Sequence, residues 1–321
     1  MEFSIWVTGK CNMRCKYCYV EEKKIFENMD LSKIDKIVDF ILHICDDKDL
    51  QINFFGGEPL LNYDFIKAFI EKMECRLDVG IEYYMTTNGT IVSDEIVSFI
   101  KEKRIKLSLS WDGCKEANDL NRVFIDGGGT FSKIKCAYHI YREGGIDDIR
   151  VRATFNKDTY KYIKESVDEF ISTDTEISVL FVPDYFDTRW TSEDINELYK
   201  IAEIVRKYEN ISICGEASYR CCRCSGGISS FHIYLDGKIY PCSFVVSEPL
   251  FCIGDLNRGL NTSAIHKLAQ RYTQSLSGCE DCDYQYGCLS YKCRYLNYSL
   301  TGKMNKASAI VCGFENFKVN K

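Results

Sequence analysis

The chain has 321 residues and a mass of 37.1 kDa, with 41 Lys and Arg against 47 Asp and Glu, a net charge of −6. Its 45% hydrophobic and 27% charged residues exclude a disordered or collagen-like chain, and no run of 18 apolar residues offers a membrane-spanning helix. The mild acidity gives no basic footprint for nucleic acid, and the outlying number is 18 cysteines beside 4 histidines.

Strand-like and helix-like segments alternate from the start. Phe3 to Val7 reads as a short apolar strand, and Leu31 to Cys45 sets Ile34, Ile37, Val38, Ile41 and Leu42 at helical spacing. A strand at Ile52 to Phe55 precedes a helix around Phe65 to Met73, and Ile81 to Met85 with Ile91 to Lys101 repeats the unit. Further strands are expected at Lys106 to Trp111, Asp148 to Thr154 and Ile177 to Val182. Six strands with intervening helices predict an α/β fold with a parallel sheet, curled or open, and chemistry at the strands' carboxyl ends. From about Cys214 cysteine crowds in, and Phe231 to Tyr240 predicts a hairpin on an Asp236-Gly237 turn. This region, rich in Cys, Tyr and Gly, buries too little apolar area to hold itself, so metal is expected to hold it.

The first eight residues lack a charged leader and an apolar h-region, which predicts a cytoplasmic protein with reduced thiols. Dense cysteine in that setting points to metal or catalysis and away from a disulfide framework. Cys11, Cys15 and Cys18 lie on one loop after the first strand, where three thiolates can converge on one object. Three are too few to close a four-ligand site, and the open position marks catalysis. The spacing alone arises by chance in about one such chain in twenty; its place in a βα series, beside Tyr17 and Tyr19, strengthens it.

With Gly56-Gly57-Glu58-Pro59, Thr87-Asn88-Gly89-Thr90 and Ser110-Trp111-Asp112-Gly113 on successive strand ends, residues 3 to 205 resemble radical S-adenosylmethionine (radical SAM) enzymes. The resemblance implies a partial (β/α)6, TIM-like barrel with a [4Fe–4S] cluster on Cys11, Cys15 and Cys18. SAM would occupy the vacant iron, and the cofactor would supply a 5′-deoxyadenosyl radical. Gly56 and Gly57 are expected to let backbone approach the methionyl amine, with Glu58 accepting from it. Tyr17, Asn88, Ser110, Arg152 and Thr154 are further candidate SAM contacts.

The second field, Cys279, Cys282, Cys288, Cys293 and Cys312 with Cys221, Cys222, Cys224 and Cys242 upstream, supplies ligands for two four-cysteine sites. Such spacings also bind zinc. The field resembles the SPASM extension of peptide- and protein-modifying radical SAM enzymes, so the domains are expected at 1–205 (barrel) and 206–321 (SPASM). That resemblance assigns auxiliary cluster I to Cys221 or Cys222 with Cys224, Cys242 and Cys293. It assigns auxiliary cluster II to Cys279, Cys282, Cys288 and Cys312. Three [4Fe–4S] clusters and SAM are the implied cofactors.

The implied activity is oxidoreductive modification of a ribosomally made precursor peptide (a RiPP), foremost a thioether crosslink. Alternatives are epimerisation, a carbon–carbon or cyclophane crosslink, formylglycine formation as in anaerobic sulfatase maturases, or, outside enzymology, an iron–sulfur electron-transfer protein. The stretch Thr87 to Ser132 looks like sulfatase maturases, but Ser243 stands where they carry a catalytic Asp after Pro-Cys. Implied partners are the peptide, a flavodoxin or ferredoxin as electron donor, and a separate leader-recognition protein, since the barrel starts at residue 3. Of the cysteines without a motif, Cys114 is the candidate hydrogen-atom donor near the barrel mouth.

Overall fold

A computed structural model describes residues 1–20, 26–45, 49–77, 80–213, 224–283 and 287–316. Strands β1 (Glu2–Thr8), β2 (Leu50–Gly56), β3 (Ile81–Thr87), β4 (Lys106–Ser110), β5 (Ile149–Phe155), β6 (Ser178–Pro183) and β7 (Ile211–Ile213) lie side by side in chain order, all parallel. The connecting helices are α1 (Ile34–Ile44), α2 (Tyr63–Arg76), α3 (Asp94–Glu102), α4 (Lys115–Asn121), α5 (Phe131–Glu143), α6 (Ile163–Thr173) and α7 (Ser192–Val205). All six expected strands are present; β7 is additional, because three residues are too short an alternation to read.

The sheet stays open as a partial barrel. The free edge of β1 takes β8 (Ser230–Ile233) in parallel, with Phe3 opposite Phe231 and Ile5 opposite Ile233. Then β9 (Lys238–Tyr240), β10 (Gly254–Asp255) and β11 (Gly259–Leu260) extend it antiparallel, so one sheet runs from barrel into the cysteine-rich region. The β8–β9 turn is the Asp236-Gly237 turn read from sequence, with Gly237 at φ +82°, a conformation that suits glycine. The helices α8 (Thr262–Tyr272), α9 (Leu289–Lys292), α10 (Arg294–Thr301) and α11 (Ala309–Asn316) complete this region.

Strand alternation sorts the side chains onto two faces. In β2, Leu50, Ile52 and Phe54 are fully buried toward the helices, as are Ile37, Val38 and Ile41 of α1. Each side chain of this size stabilises by roughly 1.5–3 kcal/mol when buried. The opposite face is polar and encloses a cavity of about 510 Å³ lined by Gln51, Asn53, Thr86, Ser108, Arg150 and Arg152. The C-terminal helix docks by one ring: Phe314 meets Trp190 at 5.2 Å, Tyr185 at 6.0 Å and Phe155 at 6.5 Å between centroids.

Candidate active site

The carboxyl ends of β1 to β5 converge on one mouth. The loop after β1 is drawn onto the end of β2: Gly57 N–H donates to Thr8 O and Glu58 N–H to Lys10 O, both at 2.9 Å. Gly56, at φ +138°, has room for no Cβ, which would lie 2.0 Å from Thr8 O; at Gly57 a Cβ would lie 2.1 Å from Lys10 O. In this structure the two glycines admit the backbone of the cysteine loop itself. From the other side, Arg14 N–H donates to Val123 O (2.8 Å) and Lys16 N–H to Asn121 O (2.9 Å). The three cysteines are thus fixed by backbone contacts from two flanking segments.

Cys11 Sγ accepts from Met13 N–H (3.4 Å) and from Asn88 Nδ2 (3.8 Å). Cys11 and Cys18 line a cavity of about 210 Å³ that Gly9, Met13 and Gly57 also border. Burial pushes the Cys15 thiol up to about 12, against the pull of the Arg122 cation, and pushes Cys11 up as well. Thiols so desolvated are not built to ionise unaided; a cluster iron would supply the missing positive charge. An all-thiol donor set on one loop, two of its members lining a small half-open cavity, fits a [4Fe–4S] cluster.

Glu58 is fully buried and turns both oxygens inward. Oε2 accepts from Asn88 N–H (2.7 Å), and Oε1 from Thr87 Oγ1 (2.8 Å) and Leu60 N–H (3.2 Å). Burial raises this carboxyl, and the Asn88, Thr87 and Leu60 donors oppose the rise. A SAM amine would have to share oxygens that already staple the end of β2 to the end of β3. Asn88 Nδ2 donates to Asn12 Oδ1 (2.9 Å), and its Oδ1 accepts from Thr90 N–H (2.9 Å) and Oγ1 (2.7 Å). Its side chain therefore ties the third strand end to the cysteine loop.

Tyr17 is equally committed. Its hydroxyl donates to Asp112 Oδ2 and accepts from Arg122 Nη1, both at 2.6 Å. Asp112 Oδ1 accepts from Thr154 N–H (2.9 Å). Burial raises Asp112 to about 6, opposed by Arg122, Tyr17 and the Thr154 N–H. Arg122, 6% exposed, keeps an Nε with no hydrogen-bond partner. Asp112 and Arg122 were not read as site residues, although Asp112 stands in the fourth strand-end motif and Arg122 lies within the Thr87 to Ser132 stretch. Half-buried Ser110 and exposed Arg152 are paired across β4 and β5, and Arg152 lines the lumen cavity. Arg152 acts electrostatically on Tyr19, whose hydroxyl burial pushes up to about 12 and which donates to Ser243 Oγ at 3.4 Å. The Cys114 backbone N–H donates to Ser166 Oγ of α6 (3.1 Å), and the residue is buried against that helix. That is a structural position, away from the lumen.

The second cysteine field gathers into two groups. Cys293, raised by burial, interacts with Cys242 and Cys224; Cys279 interacts with Cys282 and Cys312, and Cys288 with Cys312. Cys224 is brought to the α9 end by its N–H donating to Lys292 O (3.3 Å), where Tyr272 OH also donates. Gly226 leaves space for both Pro241 O and Cys224 Sγ. Cys221 and Cys222 lie outside the described residues. Among the described residues no cysteine is in a disulfide, and no three Cys, His, Asp or Glu side chains stand close enough to share a single metal ion.

An open parallel barrel with three thiols on the loop after its first strand defines a class, and comparison with known proteins agrees. Residues 5–173 match the model of the radical SAM superfamily, and the chain belongs to that superfamily. It is 29% identical over 259 residues to an uncharacterized protein of Methanocaldococcus jannaschii, covering 78% of this chain and 87% of that one. It is 23% identical to the radical SAM cyclopropyl synthase TigE of Paramaledivibacter caminithermalis, over 86% of this chain and 64% of that one. It is 25% identical to a cysteine-type anaerobic sulfatase-maturating enzyme of Clostridium novyi, over 75% and 72%. Among solved structures, native anSMEcpe with bound AdoMet shares the fold at a TM-score of 0.80 and 20% identity, over 98% of this chain and 95% of that one. Streptococcus suis SuiB bound to precursor peptide SuiA does so at 0.71 and 16%, over 97% and 75%.

Proposed function

We propose that this radical SAM enzyme modifies a ribosomally made peptide, forming a thioether crosslink. The observation that supports the reading is the single sheet that joins the barrel to the cysteine-rich region, with Cys224 held by its N–H on Lys292 O beside Cys293. Similarity to a sulfatase maturase, to a cyclopropyl synthase and to a fold solved with a precursor peptide supports a peptide substrate. Cys11, Cys15 and Cys18 would hold the SAM-binding [4Fe–4S] cluster. Cys224, Cys242 and Cys293, with Cys221 or Cys222, would hold one auxiliary cluster, and Cys279, Cys282, Cys288 and Cys312 the other. When bound, cluster and SAM supply a 5′-deoxyadenosyl radical that removes a hydrogen atom from the substrate.

The protein's own part is positional. Glu58 and Asn88 hold three strand ends in register, and Gly56 and Gly57 let the cysteine loop close over the mouth. Ser110, Arg152 and Thr154 would offer polar partners to the SAM carboxylate and ribose.

Reduced enzyme incubated anaerobically with SAM and the peptide encoded beside its gene tests the reading. A product two hydrogens lighter, with one cysteine fewer open to alkylation, is a thioether. The same mass loss with every cysteine still alkylatable and no aldehyde trapped by a hydrazide is a carbon–carbon bond, the outcome that kinship with a cyclopropyl synthase favours as a second reading. Unchanged mass in water, with one deuterium gained in D2O, means epimerisation.

A further inference from the structure

We propose that the cleft between Tyr19 and α10 is a specificity pocket for a cationic side chain, Lys or Arg, of the peptide substrate. The proposal rests on the reading of the protein as a peptide-modifying enzyme.

Tyr19, Phe186, Phe244, Glu248, Tyr298 and Ser299 line a cavity of about 230 Å³. Separate parts of the fold meet there: Tyr19 follows Cys18 on the loop after β1, Phe186 lies on the loop after β6, and Phe244 stands two residues past Cys242. Phe244 is the shared ring, 5.4 Å from Tyr19 and 6.3 Å from Phe186 between centroids, and its carbonyl accepts from Ser299 Oγ of α10 (3.2 Å). The pocket therefore lies where the cysteine loop of the barrel meets the second cysteine field.

Glu248 is the only charged side chain among the described residues that line it. The residue is half-buried, and its side chain caps no N–H of the Pro249–Phe251 turn that it precedes. Its backbone is fixed instead, with N–H donating to Val245 O (3.3 Å) and the carbonyl accepting from Phe251 N–H (3.0 Å). Ser247, just before it, stands at φ +63°, left-handed backbone that is uncommon outside glycine and clusters at binding sites. Arg152, which acts electrostatically on Tyr19, lines the lumen cavity and not this one. Lys303, next to Gly302 at the edge of the pocket, is exposed. A carboxylate without a lining cation, set among aromatic rings, is the chemistry that recognises an ammonium or guanidinium: opposite charge attracts it and ring faces hold it. An acidic or apolar side chain in the same place would desolvate the carboxylate and leave it unpaired.

The test uses reconstituted holoenzyme, SAM and the peptide encoded beside its gene, in its parent form and with each Lys and Arg exchanged in turn for Gln or Glu. Binding is read by fluorescence anisotropy and product by mass spectrometry, for wild type, Glu248→Gln and Glu248→Lys. One exchange for Gln is expected to weaken binding to the wild type roughly tenfold and to change binding to Glu248→Gln little. Glu248→Lys should bind the parent peptide worst and recover with Glu at that same peptide position. An equal cost of the exchange in wild type and Glu248→Gln overturns the pocket, as does full binding of a peptide stripped of every Lys and Arg. A peptide neither bound nor modified by the wild type, while dithionite still drives 5′-deoxyadenosine release, overturns the peptide reading and the pocket with it. Glu248→Gln keeps the shape of the side chain, so a folding fault in Glu248→Lys leaves the first comparison to decide.

Discussion

Arg122 and Asp112 are joined through one phenol: Nη1 of the arginine donates to the Tyr17 oxygen, and that hydroxyl donates to Asp112 Oδ2, each at 2.6 Å, while the charges stand 3.9 Å apart. The chain closes on Thr154 N–H, so the cysteine loop, the fourth strand end and the fifth are tied by a buried polar network.

That network predicts a pH dependence in the apoprotein. Burial raises Asp112 to about 6, against ~3.9 in the unfolded chain. Between about pH 4 and pH 6 the folded chain keeps a proton that the unfolded chain has released, so stability falls as pH rises through that window. Denaturant midpoints across the window should decline for wild type and run flatter for Asp112→Asn. An equal decline in both assigns the titration to another group.

Glu58→Gln sets an amide where three donors converge, and its NH2 opposes the Asn88 N–H, the Thr87 hydroxyl or the Leu60 N–H. A loss of about 1–3 kcal/mol in unfolding free energy is expected, together with weaker SAM binding by calorimetry. Wild-type stability in this variant means that the staple carries no weight.

Gly57→Ala drives a methyl into Lys10 O, 2.1 Å from where its Cβ must sit. Backbone on both sides leaves only a shift of the cysteine loop. Iron at the N-terminal site should fall after anaerobic reconstitution while the C-terminal iron is kept, and iron analysis against a Cys11→Ala reference measures it.

Phe314→Ala removes the ring that Trp190, Tyr185 and Phe155 surround. Large-to-small changes at buried aromatics cost roughly 3–5 kcal/mol, and here the loss falls on the docking of the last helix. Proteolysis should cut the C-terminal region first, ahead of the barrel; simultaneous cleavage of both would mean that they unfold as one unit.

The barrel was legible because its strands repeat a two-residue alternation and its helices a longer one: Phe3 to Val7 and Leu31 to Cys45 each carry the signal within themselves. The parallel pairing of β8 with β1 was not, since nothing local in Ser230–Ile233 names a partner more than two hundred residues away. Gly56, Gly57 and Glu58 were found by motif, yet in this structure the contacts that explain them run to the protein's own backbone and to Thr87, Asn88 and Leu60. Arg122 escaped notice because a single arginine has no periodicity; its meaning lies in Tyr17 and Asp112, which only the fold brings to it.

The most direct measurement is electron paramagnetic resonance of reduced, anaerobically reconstituted protein with and without SAM, paired with assay of 5′-deoxyadenosine. In the wild type, SAM should alter the spectrum and nucleoside should accumulate. In Cys15→Ala both effects should vanish while iron on the C-terminal thiols remains. A wild-type spectrum indifferent to SAM, or nucleoside release that survives Cys15→Ala, would contradict the placement of the catalytic centre on Cys11, Cys15 and Cys18.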